Sequence, residues 1–115
     1  MPTWEEVVAI ASELPGVEVS TSYRTPALKV AGKGFARLRT EAEGGLMVLC
    51  DPAEKEALLA SGDPAFFTTP HYDGYPSILI HLDRVDRAQL TELITESWRR
   101  KAPVKLRTAF DSETH

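Results

Sequence analysis

Ala27-Leu28-Lys29-Val30-Ala31-Gly32-Lys33-Gly34-Phe35-Ala36-Arg37-Leu38-Arg39 alternates apolar and cationic residues on both sides of a glycine-rich turn. That is the pattern of a β-hairpin with one face for a core and the other for solvent. Taking Gly32-Lys33-Gly34 as a three-residue loop sets Val30 opposite Ala36, Lys29 opposite Arg37 and Leu28 opposite Leu38. One face is then wholly apolar, whereas a two-residue loop setting Leu28 against Arg37 mixes the faces. Register follows the apolar face, so the longer loop is predicted. It places Phe35 among Lys29, Arg37 and Arg39 on the outer face. It also opposes two like charges directly, which is unfavourable on a sheet and which an anion would relieve.

Outward from the hairpin, the chain reads as a meander with helices before, within and after it. Thr3 and Glu6 form a capping box ahead of the apolar stripe Trp4, Val7, Val8, Ala11 and Leu14, which predicts a helix over 4–14 closed by Pro15-Gly16. Val17–Ser20 alternates and opens a strand, and Leu46–Cys50 is another. Asp51-Pro52 starts a second helix. Asp63–Pro76 holds three prolines and four aromatics, and reads as a structured loop or a loop with a short strand. Ser77–Leu82 has the composition of a central strand. Asp86 with Gln89 caps a last helix whose stripe is Leu90, Leu93, Ile94 and Trp98, with Val85 and Leu90 as its hydrophobic staple. Pro103 ends it, and 107–115 reads as a flexible polar tail after one domain over 1–106. The fold class is α+β in two layers, an antiparallel sheet of five or six strands with about three helices on one side.

The chain has 115 residues, 43% hydrophobic and 26% charged, the composition of one globular domain. A single cysteine, Cys50, excludes an internal disulfide and a CxxC pair. No apolar run approaches the roughly 20 residues of a membrane helix, and the opening residues have no signal-peptide character. No membrane association and a cytoplasmic location are the expectations. The formal net charge is −4, yet ten of the thirteen Lys and Arg fall in two acid-free blocks. One is Arg24, Lys29, Lys33, Arg37 and Arg39; the other is Arg99, Arg100, Lys101, Lys105 and Arg107. Such blocks make local positive faces on an acidic protein. The plain alternative is solvated edge charge for the first block and helix C-terminal charge for the second.

No catalytic apparatus is legible. His71 and His81 lack metal-ligand spacing, no nucleotide-cradling glycine loop is present, and Cys50 ends an apolar strand as a small buried hydrophobe. No enzyme activity, no metal and no cofactor are expected.

Several segments together resemble the MmcQ/YjbR family. They are Thr21-Ser22-Tyr23-Arg24-Thr25-Pro26-Ala27-Leu28-Lys29-Val30, Gly32-Lys33-Gly34-Phe35-Ala36-Arg37-Leu38, the helix opened by Asp51-Pro52, Phe66–Pro76, and the last helix closing on Ala102-Pro103. The resemblance covers about residues 3–106. It implies a fold similar to that of type III secretion chaperones, and DNA binding through a double-wing arrangement of the sheet. Two departures stand out: Arg24 where the family often has glycine, and Ser77 where it often has a large aromatic. The expected nucleic-acid-binding residues are Arg24, Lys29, Lys33, Phe35, Arg37 and Arg39. The competing expectation is a protein-interaction or chaperone-like domain using the aromatic segment Phe66–Tyr75. The sequence leaves the oligomeric state open.

Overall fold

The computed structural model describes residues 3–22, 24–40 and 44–113. The elements are α1 (Trp4–Ala11), β1 (Val17–Ser22), β2 (Thr25–Val30), β3 (Lys33–Leu38), β4 (Leu46–Leu49), α2 (Pro52–Ala60), β5 (Phe66–Phe67), β6 (Ser77–Ile80), α3 (Arg87–Lys101) and α4 (Val104–Glu113). The strands form one antiparallel sheet in the order β1-β2-β3-β4-β6-β5. The first four strands are the meander. The chain then leaves through α2, lays down β5 at the far edge, and returns as β6 between β5 and β4.

The first three helices start where their cap residues stand. Thr3 Oγ1 accepts from the Glu6 N–H at 3.3 Å, Asp51 from Ala53 at 2.8 Å and Asp86 from Gln89 at 3.2 Å, each satisfying an otherwise free donor of a first turn. The core lies between α1 and α3 and one face of the sheet. Val7, Ile10, Leu90, Ile94 and Trp98 meet Leu28, Val30, Val48, Ile78 and Ile80 there.

Residues 107–113 form most of a fourth helix rather than the expected tail. Three anchors hold α4. Phe110 packs edge-on against the buried Trp98 ring, with centroids 5.3 Å apart. Arg99 of α3 donates to both Asp111 carboxylate oxygens, at 2.6 and 3.4 Å. Leu106 lies against Gly16 beside Val30. These contacts span α3, α4 and the start of β1, which a polar stretch read alone does not disclose.

The hairpin register also differs from the expectation. Val30 pairs with Lys33, Lys29 with Gly34, Leu28 with Ala36 and Ala27 with Arg37. Lys29 and Arg37 are therefore not directly opposed. The loop is the two residues Ala31-Gly32, at φ 51° and 77°, the left-handed pair that matches strand twist in a tight hairpin. Phe35 is then left over as a bulge between Gly34 and Ala36. A bulge places two residues against one and re-aims a side chain. Phe35 is wholly buried in the core instead of lying among the cations. The apolar-face rule was sound, but a bulge satisfies it as well as a longer loop does.

The bulge needs a partner for its backbone, and α3 supplies one. Ser97, fully buried, donates its hydroxyl to the Phe35 carbonyl and accepts from the Leu49 N–H at 2.8 Å. A helix side chain thus replaces the ladder bond that β3 and β4 would otherwise make there.

Candidate nucleic-acid interface

Strand side chains alternate between faces, so the paired rows assign the outer face. Thr25, Ala27 and Lys29 of β2, Arg37 of β3, Met47 and Leu49 of β4, and Ser77 and Leu79 of β6 share it. This face has two halves. Over β4, β6 and β5 lies the 68–76 loop, beneath which Leu79 is fully buried although it lies outside the main core. Over β1, β2 and β3 no helix packs among the described residues, although Thr25 and Ala27 are themselves buried there.

At the border of the halves stands a ladder of cations and rings. Arg37 donates to Thr25 Oγ1 at 3.3 Å and to the Tyr72 hydroxyl at 2.9 Å. Arg39 donates to the Gly44 carbonyl at 3.0 Å, with its guanidinium 5.6 Å from the Tyr72 ring and 5.9 Å from the Phe67 ring. Phe67 in turn stacks on His81 at 4.1 Å. Cation–ring contacts of this kind stabilise by about 0.5–1 kcal/mol where water still reaches them.

On the open half, Lys29 and Arg37 line one cleft of about 340 Å³. Its floor is made of small residues, Ala27, Gly34 and Ala36, with Met47 as a wall. The register that separates Lys29 from Arg37 puts Gly34 between them, and the missing side chain makes the hollow. Glu18 of β1 is the cross-strand neighbour of Lys29 and reduces the local positive charge.

The expected site residues fall into three groups. Lys29 and Arg37 line the cleft, and Lys33 is exposed at the hairpin tip beside it. Arg39 belongs to the ring ladder, and Arg24 is exposed in the β1–β2 turn at the opposite end of the sheet from Lys33. Phe35 is removed from the face altogether. Arg24 has φ 67°, the left-handed region that glycine enters without strain, which gives a physical reason for glycine at that place in the family it resembles.

Tyr72 and Lys55 were not anticipated. Lys55 is 8% exposed and donates Nζ to the carbonyls of Tyr72 at 2.6 Å and Tyr75 at 3.0 Å. It fastens the covering loop to α2, while Arg37 fastens it to β3. A lysine in a polar helix gives no sign of this. Cys50 is buried as expected; burial pushes its thiol up to about 11, and the Glu54 carboxylate adds to the rise. No helix among the described residues is long and apolar enough to cross a membrane.

A family model described as YjbR matches residues 12–100. Uncharacterized protein Rv2570 of Mycobacterium tuberculosis and Uncharacterized protein Mb2600 of Mycobacterium bovis are each 33% identical over 124 aligned positions, covering 96% of both chains. The crystal structure of Deinococcus radiodurans protein DR2400, described with the domain DUF419, superposes with a TM-score of 0.72 at 20% identity. It covers 96% of this chain and 89% of that one, a likeness of fold.

Proposed function

The chain belongs to the YjbR family, and from its outer face we propose that it binds DNA through the phosphate backbone, with the Lys29–Arg37 cleft as the primary contact. The observation that carries this reading is the pairing of two cations around a floor of small residues on an uncovered sheet face. A phosphate group needs that geometry: charge on two sides and close approach to backbone. Arg37 is held in place by Thr25 and Tyr72, so less side-chain freedom is lost on binding. Lys33 at the tip extends the contact along the strand direction. With Phe35 buried, base stacking on the hairpin is not part of the proposal, and sequence preference is expected to be slight.

The experiment is anisotropy of labelled single- and double-stranded DNA across salt concentration. Lys29, Lys33 and Arg37 would neutralise about three phosphates, giving a slope of about −2.7 in log K against log salt. Between about 50 and about 200 mM salt the affinity should fall roughly 40-fold. Lys29→Ala with Lys33→Ala should lower the slope by about 1.8. Absence of any salt-sensitive binding at low ionic strength and high micromolar protein refutes the reading. A second reading, a protein-interaction domain, is favoured by Tyr75 and Val19, each 58% exposed. It predicts that binding to a partner survives the double lysine change and is lost with Tyr75→Ala.

A further inference from the structure

At the end of the outer face near the start of β6, two cavities adjoin. One, of about 280 Å³, is mostly apolar and aromatic, with Met47, Leu49, His71, Tyr72, Tyr75 and Pro76 around it and Ser77 in its wall. The other, of about 370 Å³, lies at the corner of α3 and α4 and shares Leu49 and Pro76 with the first. Its remaining lining is Ala102 and four cations, Arg99, Arg100, Lys101 and Arg107. The second basic block of the sequence is therefore gathered around a hollow, not merely spread along a helix end.

Charge at a helix C-terminus explains Arg99, Arg100 and Lys101 in part. It does not explain Arg107, which comes from α4 and faces the same hollow. Nor does it explain two buried polar atoms. Ser77 Oγ and Arg107 Nε are both shielded from solvent and have no hydrogen-bond partner among the described residues. Ser77 is 4% exposed. An unsatisfied buried group costs about 1–3 kcal/mol, more when charged, so each calls for an explanation. Ser77 belongs to the wall of the aromatic cavity and Arg107 to that of the cationic one. Asp111 and Glu96 are both paired with Arg99 and so repel an incoming anion less.

We propose that the two adjoining cavities form one binding site for a nucleoside monophosphate, the ring against the aromatic wall of His71, Tyr72 and Tyr75 beside Ser77, and the phosphate against Arg100, Lys101 and Arg107. A flat ring suits the tyrosine-lined wall better than an alkyl chain does, and the cations require an anion at the other end. Small-molecule sites combine apolar walls with a few convergent polar groups in this way. The site borders the Lys29–Arg37 cleft through Met47 and Tyr72 but does not rest on the reading given for it.

The test is calorimetric titration of the intact chain with adenosine monophosphate, uridine monophosphate, adenosine, inorganic phosphate and a medium-chain fatty acid. The monophosphates should bind, with adenosine and phosphate each at least about tenfold weaker, the loss expected when about 1.4 kcal/mol of contact is removed. Arg100→Ala with Lys101→Ala, both at exposed positions, should bring a monophosphate down to the affinity of adenosine. Ser77→Leu, which fills the wall, should abolish ring-dependent binding, and Ser77→Ala should fold normally and weaken it. Lys29→Ala with Lys33→Ala should leave it unchanged. Equal affinity for adenosine and its monophosphate, binding of the fatty acid in preference, loss on changing the hairpin lysines, or no binding at millimolar ligand each overturns the proposal.

Discussion

Ser97→Ala tests how the hairpin face is built. The Ser97 hydroxyl lies fully buried between the Phe35 carbonyl and the Leu49 N–H. Removing it takes one hydrogen-bond partner from the buried Phe35 carbonyl and one from the half-buried Leu49 N–H. Each such group costs about 1–3 kcal/mol, and local closing of the β3–β4 ladder would recover some of that. A net loss of about 2–4 kcal/mol is expected. With an unfolding entropy of about 2.1 cal/mol/K per residue, a chain of 115 residues loses roughly 4 °C in Tm per kcal/mol. The midpoint should therefore fall by about 8–16 °C. Urea denaturation followed by circular dichroism gives the free energy directly, and the m-value should be unchanged, because the same surface is exposed. Ser97→Thr, which keeps the hydroxyl, separates loss of the bridge from general disturbance of the site. A loss below about 0.5 kcal/mol, within the range of ordinary surface changes, would refute the bridging role of the hydroxyl.

Ala31→Asn should stabilise the fold by about 0.5–1 kcal/mol, read as a rise in urea midpoint, because Ala31 has φ 51° and Asn-Gly is the favoured pair for that turn. Cys50 should react with a thiol reagent at pH 8 about 100-fold more slowly than a free thiol of ordinary pKa, since only the thiolate attacks and its folded value stands at about 11 against 9.0. The same shift links to stability: the unfolded chain ionises first, so a contribution present below pH 9.0 is lost as pH rises towards 11. Wild type should therefore lose about 2 kcal/mol more than Cys50→Ala over that interval, and parallel pH profiles of the two proteins would contradict it.

The sequence disclosed whatever local chemistry decides. Thr3, Asp51 and Asp86 cap helices because their side chains reach only their own first turn, and that reach is set by spacing in the chain. The stripe Leu90, Leu93, Ile94 and Trp98 is buried as its period requires. The hairpin register was not legible in the same way. Two registers, one with a three-residue loop and one with a bulge, keep Leu28, Val30 and Ala36 on the core face. What separates them is Ser97, which lies 62 residues from Phe35 along the chain. The misplacement of Phe35 followed directly. The helical ending was hidden for a similar reason: Phe110 and Asp111 find their partners on α3, and a short amphipathic segment without them has little helical signal of its own. Of the candidate site, the cations were visible as composition, but the floor between them was not, because it depends on Gly34 standing opposite Lys29.

The geometry also bears on how strongly an acidic protein can hold an anionic polymer. At a net charge of −4, long-range attraction is weak, and physiological salt screens exposed charges beyond about 8 Å. Binding then depends on short-range contact with oriented groups. Arg37 meets that requirement, because Thr25 and Tyr72 fix the plane of its guanidinium. Tyr72 is itself fixed through its carbonyl by Lys55 from α2. An arginine loses about 2 kcal/mol of side-chain freedom when ordered, and here much of that cost falls on folding and not on binding. Among the described residues Lys29 and Lys33 have no such supports, and in the proposed contact they would act as adaptable charges beside the Gly34 gap. For the proposed DNA contact this division of labour predicts a modest, steeply salt-dependent affinity governed by one rigid contact. Lys55, which touches no part of the cleft, is in this scheme a positioning residue for Arg37.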